Sequence, residues 1–309
     1  MANFSMEQIK GVIPALVTCF DEREAVDVKR TRETVKGLLE FGVDGFYLTG
    51  STGEAFLMTA EERKIVVETV IDEVNGRVPV IVHVGDIGTK LSVDLAVHAE
   101  QAGADAISSV PPFYWKFGPE NIYRYYEELA GSVSLPMIIY NIALAGTMDA
   151  SLLERLGRIP NVKGLKFTSL EHFRFPELKK TFENDFVIYS GADEMALSGL
   201  SFGADGIIGS FYNVIPDVYL KLFQAVNRGD LKTAREMQVI ADRIIMTALK
   251  YDYIPLIKRM MAWMGLDGGY SRRPFTRYDK KAEDAAKEEF LKLKEELKVT
   301  GVAFLDNLR

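Results

Sequence analysis

The chain has 309 residues, 48% of them hydrophobic and 26% charged, which is ordinary for a globular enzyme and suits one large α/β domain with an extension. A formal net charge of −7 argues against nucleic acid or an anionic membrane as partner, and no run of about 18 apolar residues is present to cross a bilayer. The N-terminal stretch has no basic segment followed by an apolar core, and the single cysteine, Cys19, has no internal partner, so a reducing, cytoplasmic setting is expected.

Short β-branched runs alternate with longer amphipathic ones along the chain. Strands are expected at 12–18, 45–49, 78–84, 104–110, 137–141, 162–167, 186–190 and 205–209. Helices are expected at 29–41, 60–75, 91–102, 119–130, 151–156, 173–182, 194–202 and 216–227. Strands apolar on both faces, each followed by a helix, indicate a parallel sheet covered by helices. A weak internal repeat runs through Gly42-Val43-Asp44, Gly103-Ala104-Asp105 and Gly203-Ala204-Asp205: a helix ends on glycine and a strand begins at once. Eight such units favour a closed (β/α)8 TIM barrel over residues 1–228, and no Gly-x-Gly-x-x-Gly turn supports a dinucleotide site. From 229 to 309 the pattern is helical only, at 230–249, 254–264 and 280–297, a C-terminal extension of the kind that often serves subunit contacts.

In a barrel the reacting groups gather where the strands end, and those positions form a polar set. Strand two runs into Gly50-Ser51-Thr52-Gly53-Glu54, whose glycines and hydroxyls suit a carboxylate or phosphate oxygen. Strand four ends in Phe113-Tyr114-Trp115, aromatics that pack a loop or cover the mouth. Strand five ends in Tyr140. In strand six, alternation places Val162, Gly164 and Lys166 on one side and Lys163 on the other. A lysine aimed into the barrel loses solvation, and its amine then becomes nucleophilic near neutral pH; past the rim it would be an ordinary surface lysine. Strand seven ends in Gly191-Ala192-Asp193-Glu194, where either acid could instead cap the next helix, and strand eight in Gly209-Ser210. The histidines, His83, His98 and His172, lack metal-ligand spacing, so no metal is expected and each has a structural or surface role.

With these residues in hand, the chain resembles the lysine-dependent pyruvate aldolases, the superfamily of N-acetylneuraminate lyase and dihydrodipicolinate synthase, from about Gly11 to Phe275. The likeness rests on the 50–54 loop, the Tyr140-Asn141 pair, and Lys166 on the following strand. It implies that Lys166 forms an imine with a 2-oxo acid without any other cofactor, and that Tyr140 is the acid/base. It further implies that Ser51 and Thr52 bind the substrate carboxylate. Ser51 would link Tyr140 to the tyrosine matched by Tyr114, which in the family comes from a neighbouring subunit of a homotetramer. Thr168, Gly191, Asp193, Glu194 and Ser210 resemble the polyol contacts of the sialic-acid lyase branch, and no arginine follows Tyr140 as in the synthases. One departure is a loop that lacks the usual proline after Asn141-Ile142 and reaches Gly146 one residue early.

The expected activity is therefore cleavage of a sialic acid to an amino sugar and pyruvate. A 2-keto-3-deoxy sugar acid aldolase shares the same imine machinery, and dihydrodipicolinate synthase ranks third. A catalytically silent barrel that only binds sugar acids is the reading from another class. It has no use for the lysine, the tyrosine and the Ser-Thr loop together.

Overall fold

The computed structural model describes residues 3–182 and 186–309, in which strand and helix alternate as far as Asn227; the first two residues of the N-terminal stretch lie outside them. The strands are β1 (Gly11–Pro14), β2 (Phe46–Leu48), β3 (Val80–His83), β4 (Ala106–Ser109), β5 (Met137–Ile142), β6 (Val162–Thr168), β7 (Val187–Ser190) and β8 (Gly206–Gly209). Between and after them lie α1 (Val28–Phe41), α2 (Ala60–Val74), α3 (Thr89–Ala102), α4 (Pro119–Gly131), α5 (Ala150–Gly157), α6 (Phe175–Thr181), α7 (Ala196–Ser201) and α8 (Pro216–Asn227). All seven ladders are parallel, and β1 pairs with β8. The remaining seam between β1 and β2 is bridged at Ala15–Tyr47, where the Leu16 N–H donates to the Tyr47 carbonyl at 2.9 Å. The protein is a (β/α)8 barrel, as the alternation predicts.

The repeat seen in the sequence has a structural cause. Gly42, Gly103 and Gly203 all end helices with positive φ, which only glycine adopts without strain. The aspartate two residues on then stitches the strand starts together. Asp44 accepts from the Val12 N–H at 2.8 Å, Asp105 from the Val80 N–H at 2.9 Å, and Asp205 from the Ile188 N–H at 2.9 Å. Each carboxylate therefore joins an even strand to the odd strand before it, at the end of the barrel away from the expected site.

Alternate residues divide two apolar layers. Ile13, Tyr47, Ile81, Ile138, Tyr140, Tyr189 and Ile208 fill the barrel, and Phe46, Val82, Ile107, Met137, Leu165 and Ile188 meet the helices. One prediction fails here. Val162 belongs to the outer layer with Leu165, not on the side of Gly164 and Lys166. The β5–β6 register slips between Met137 and Ile138, so that Met137 pairs with Val162 but Ile138 with Gly164. The extra residue, Lys163, is absorbed in that bulge, which flips the parity upstream of it and leaves Lys166 aimed inward.

The extension consists of α9 (Leu231–Ala248), α10 (Tyr253–Trp263), α11 (Lys280–Leu297) and the short α12 (Ala303–Asn307). Its apolar faces share one core with α8 and with Val12 and Ile207 of the barrel. Helix α12 was not expected. Five residues are too few to show a period, yet Phe304 and Leu305 are buried.

Candidate active site at the C-terminal mouth of the barrel

The strand ends enclose a cavity of about 230 Å³, and nine of the ten expected residues line it. Ser51 and Thr52 come from the loop after β2, Tyr140 from β5, and Lys166 and Thr168 from β6. Gly191, Asp193 and Glu194 follow β7, and Ser210 follows β8. Tyr114 is the exception. It is 84% exposed, with φ +81 and its ring edge-on to Trp115 at 4.8 Å, so the expected Ser51–Tyr114 link is not made within the chain.

Lys166 pairs in register with Tyr140 on one side and Tyr189 on the other, and only 3% of it is exposed. Its Nζ lies 4.1 Å from the centre of the Tyr140 ring and 4.3 Å from that of Tyr47. Burial removes the solvation of the ammonium and brings the pKa down to about 7, with Asp193 opposing. A large fraction of this amine is therefore uncharged at neutral pH. Tyr140 moves the other way. Burial pushes its phenol up to about 12, against the pull of the Thr168 and Ser51 hydroxyls beside it. The buried Thr168 Oγ1 makes no well-formed hydrogen bond among the described residues, which leaves it free to meet a donor or acceptor on a bound molecule. Gly191 gives these groups room, because a Cβ there would stand 2.1 Å from Thr168 Oγ1 and 3.3 Å from Lys166 Cε.

The 50–54 loop is held in a strained shape. Thr49 and Glu54, which bracket it, have φ of +50 and +56. Thr49 is locked to β3: its Oγ1 donates to the His83 carbonyl at 2.8 Å, and His83 Nδ1 donates back to the Thr49 carbonyl at 3.0 Å. His83 is fully buried and held neutral, its pKa well below the usual imidazole range, and its Nε2 accepts the Val110 N–H at 3.3 Å. Within the loop, the Thr52 and Ser210 hydroxyls are 2.7 Å apart. Glu54 is tied from behind by Lys258 of α10, whose Nζ reaches its carboxylate at 2.5 Å and the Thr18 and Tyr270 carbonyls at 2.6 Å each.

At the opposite end, Asp193 does not cap the following helix. Its carboxylate accepts the Phe211 N–H at 2.8 Å across the β7–β8 ends, and α7 begins after a 3-10 turn with no side-chain cap. Burial raises its pKa to about 7, with the Phe211 hydrogen bond opposing and Glu194 adding to the rise.

Several residues around the site escaped the sequence reading. Tyr47 lies in the barrel interior, with the Lys166 Nζ 4.3 Å from the centre of its ring. Ile245, Leu249 and Tyr253 come from the extension and had no local signal. Beside the cavity, and sharing Ser51, Ile142, Leu144 and Tyr253 with it, is an apolar hollow of about 510 Å³ walled by Phe56, Phe113 and Phe275. The shortened loop after Tyr140 forms a 3-10 turn, Ala143–Ala145, whose Leu144 is 78% exposed at the rim of both. Asn141 closes its base by accepting the Met148 N–H at 2.9 Å. Among the described residues no cluster of three or more His, Cys, Asp or Glu could hold a metal ion, and no helix is long and apolar enough to cross a membrane.

Residues 8–293 match the dihydrodipicolinate synthetase family. Among curated relatives, N-acetylneuraminate lyase 2 of Escherichia coli is 40% identical over 273 residues, covering 87% of this chain and 89% of its own. Among solved structures, CdNal from Clostridium difficile, in complex with mannosamine, is 33% identical with a TM-score of 0.88, over 92% of this chain and 99% of that one. A catalytic-lysine mutant of the Ruminococcus gnavus sialic acid aldolase is 31% identical with a TM-score of 0.89, over 99% and 98% of the two chains.

Proposed function

Because the chain belongs to the dihydrodipicolinate synthetase family, in its N-acetylneuraminate lyase branch, we propose that it is a class I lyase splitting N-acetylneuraminate into N-acetylmannosamine and pyruvate. The observation that carries this reading is the buried Lys166 amine, brought to a pKa of about 7 between Tyr47 and Tyr140, in a cavity whose far wall is polar.

The chemistry follows from these positions. The neutral Lys166 amine adds to the C2 carbonyl of the open-chain substrate, and water leaves to give a protonated imine. The substrate carboxylate rests on the Ser51-Thr52 loop. Tyr140 takes the proton of the C4 hydroxyl, C4 becomes an aldehyde, and the C3–C4 electron pair moves into the iminium to form an enamine. A phenol with a pKa of about 12 is a weak acceptor at rest. The iminium cation that forms beside it favours the phenolate, and Ser51 offers a path for the phenolic proton. Protonation at C3 and hydrolysis then release pyruvate and restore the amine. No metal or organic cofactor enters. Thr168, Gly191, Asp193, Glu194 and Ser210 hold the hydroxylated chain.

Tyr114, exposed on its own chain, would serve the site of a neighbouring copy in a homotetramer, and a cytoplasmic setting suits the free Cys19. The apolar rim at Leu144 favours one second reading, a 2-keto-3-deoxy sugar acid with fewer distal hydroxyls. The test is pyruvate release from N-acetylneuraminate by wild type and Lys166→Ala in EDTA, alongside borohydride trapping of pyruvate read by mass. Activity and an adduct on Lys166, both lost in the variant and both indifferent to EDTA, support the proposal. An adduct without sialic-acid cleavage moves the assignment to the shorter sugar acid, and no adduct refutes the imine mechanism.

A further inference from the structure

The turn that carries Asp193 and Glu194 is closed by short backbone hydrogen bonds of its own, from the Met195 N–H to the Ala192 carbonyl and from the Ala196 N–H to the Asp193 carbonyl, and is tied further from outside. Helix α7 starts directly after it without a side-chain cap, so its first N–H groups need acceptors from elsewhere. Gln238, in the middle of α9, supplies one. Its Oε1 accepts the Leu197 N–H at 2.8 Å, while its Nε2 donates to the Asp193 carbonyl at 3.1 Å and to Asp242 Oδ1 at 2.8 Å. One amide thus spans the turn from residue 193 to residue 197 with all its donors used. The Asp193 carbonyl receives a further side-chain hydrogen bond at 3.1 Å from the hydroxyl of Tyr219 in α8, which is fully buried. The same stripe of α9 that carries Gln238 and Asp242 continues to Ile245 and Leu249, which form part of the cavity wall.

From this arrangement we infer that Gln238 is a positioning residue that sets how the site grips the hydroxylated tail of its substrate, separately from the imine chemistry at Lys166. The inference rests on the reading of the site as one for a 2-oxo acid with a polyol chain. Gln238 makes no hydrogen bond to Lys166 or to the 50–54 loop; apart from Asp242 on its own helix, its partners are Asp193 and Leu197, at the two ends of the turn that bears the acids. Losing them frees the turn to shift, so the distal hydroxyls lose their acceptors while the pyruvate half stays in place.

The experiment runs the reaction in the condensation direction with pyruvate and two aldehydes, N-acetylmannosamine and the three-carbon glyceraldehyde, for wild type, Gln238→Met and Tyr219→Phe. For Gln238→Met the ratio of kcat/KM for the long aldehyde to that for the short one falls about tenfold, chiefly through KM, the scale of one or two lost hydrogen bonds. Tyr219→Phe, which deletes one hydroxyl, shifts the ratio the same way and less. Borohydride trapping of pyruvate and condensation with glyceraldehyde stay at the wild-type level in both. An unchanged ratio, or a loss of trapping in step with condensation, overturns the inference. If wild type traps pyruvate but rejects N-acetylmannosamine, the sialic-acid reading fails. Gln238 is then judged by the same ratio on the longest aldose accepted.

Discussion

Replacing Lys166 with methionine should make the protein more stable, and the gain should grow as the pH falls. In the unfolded chain the amine has its ordinary pKa of 10.5; in the folded protein burial lowers it to about 7. Between those values the unfolded state holds a proton that the folded state does not, so stability rises with pH across the window. Below about pH 7 both states are protonated, and the folded protein carries the full penalty of a desolvated ammonium. The drop corresponds to roughly 5 kcal/mol. Methionine occupies the space of the lysine stem and packs well against the rings of Tyr47 and Tyr140, so little packing is lost. Asp193 alters this little, because it ionises above about pH 7, where the Lys166 amine has already lost its charge; the two charges coexist only near pH 7. Urea unfolding of both proteins near pH 6, 7.5 and 9 reads the difference. The variant should lead by several kcal/mol near pH 6, with the gap closing towards pH 9. A gap independent of pH, or a wild type that is the more stable near pH 6, would refute the placement of Lys166 as a buried, uncharged amine.

The same group governs the rate. With neutral lysine as the nucleophile, kcat/KM of the wild type should climb with pH up to about 7 and then level off; a flat profile across that range sinks the assignment. Tyr140→Phe should still trap pyruvate on Lys166 but lose about 10²- to 10⁴-fold in cleavage, and an equal loss of both would make Tyr140 merely structural. Lys258→Met should act oppositely to the Lys166 change and cost about 3–5 kcal/mol, because Glu54 is left as an unpaired buried carboxylate. A thermal melt reads this, and adding Glu54→Gln should recover part of the loss.

The strand–helix alternation and the glycine-aspartate repeat were enough to read the barrel, because both are local patterns that a window of a dozen residues contains. The main lining residues were legible for a related reason: in this architecture a residue at the end of a strand is already at the mouth. Val162 shows the limit of parity, which holds only until a bulge intervenes, and nothing around Lys163 announces one. The roles of Lys258 and Gln238 were invisible. Lys258 meets Glu54 across 204 residues, and Gln238 meets Asp193 across 45, and no periodicity encodes such a meeting. Asp193 was ambiguous for another reason. An acid before a helix reads as a cap, and only the Phe211 N–H from the turn after the next strand decides against it.

The bond from Lys258 to Glu54 also orders events on the ribosome. Glu54 is made early, and it takes up its left-handed backbone at the end of the substrate loop. The cation that neutralises it arrives only when α10 has been synthesised and docked, after all eight strands. Until then the Glu54 carboxylate has no cation, and the 50–54 loop lacks its rear support. A chain with all eight strands made but the extension missing lacks both groups that hold the Glu54 carboxylate, Lys258 and the Arg272 N–H, so the proposed carboxylate cradle is complete only with the extension.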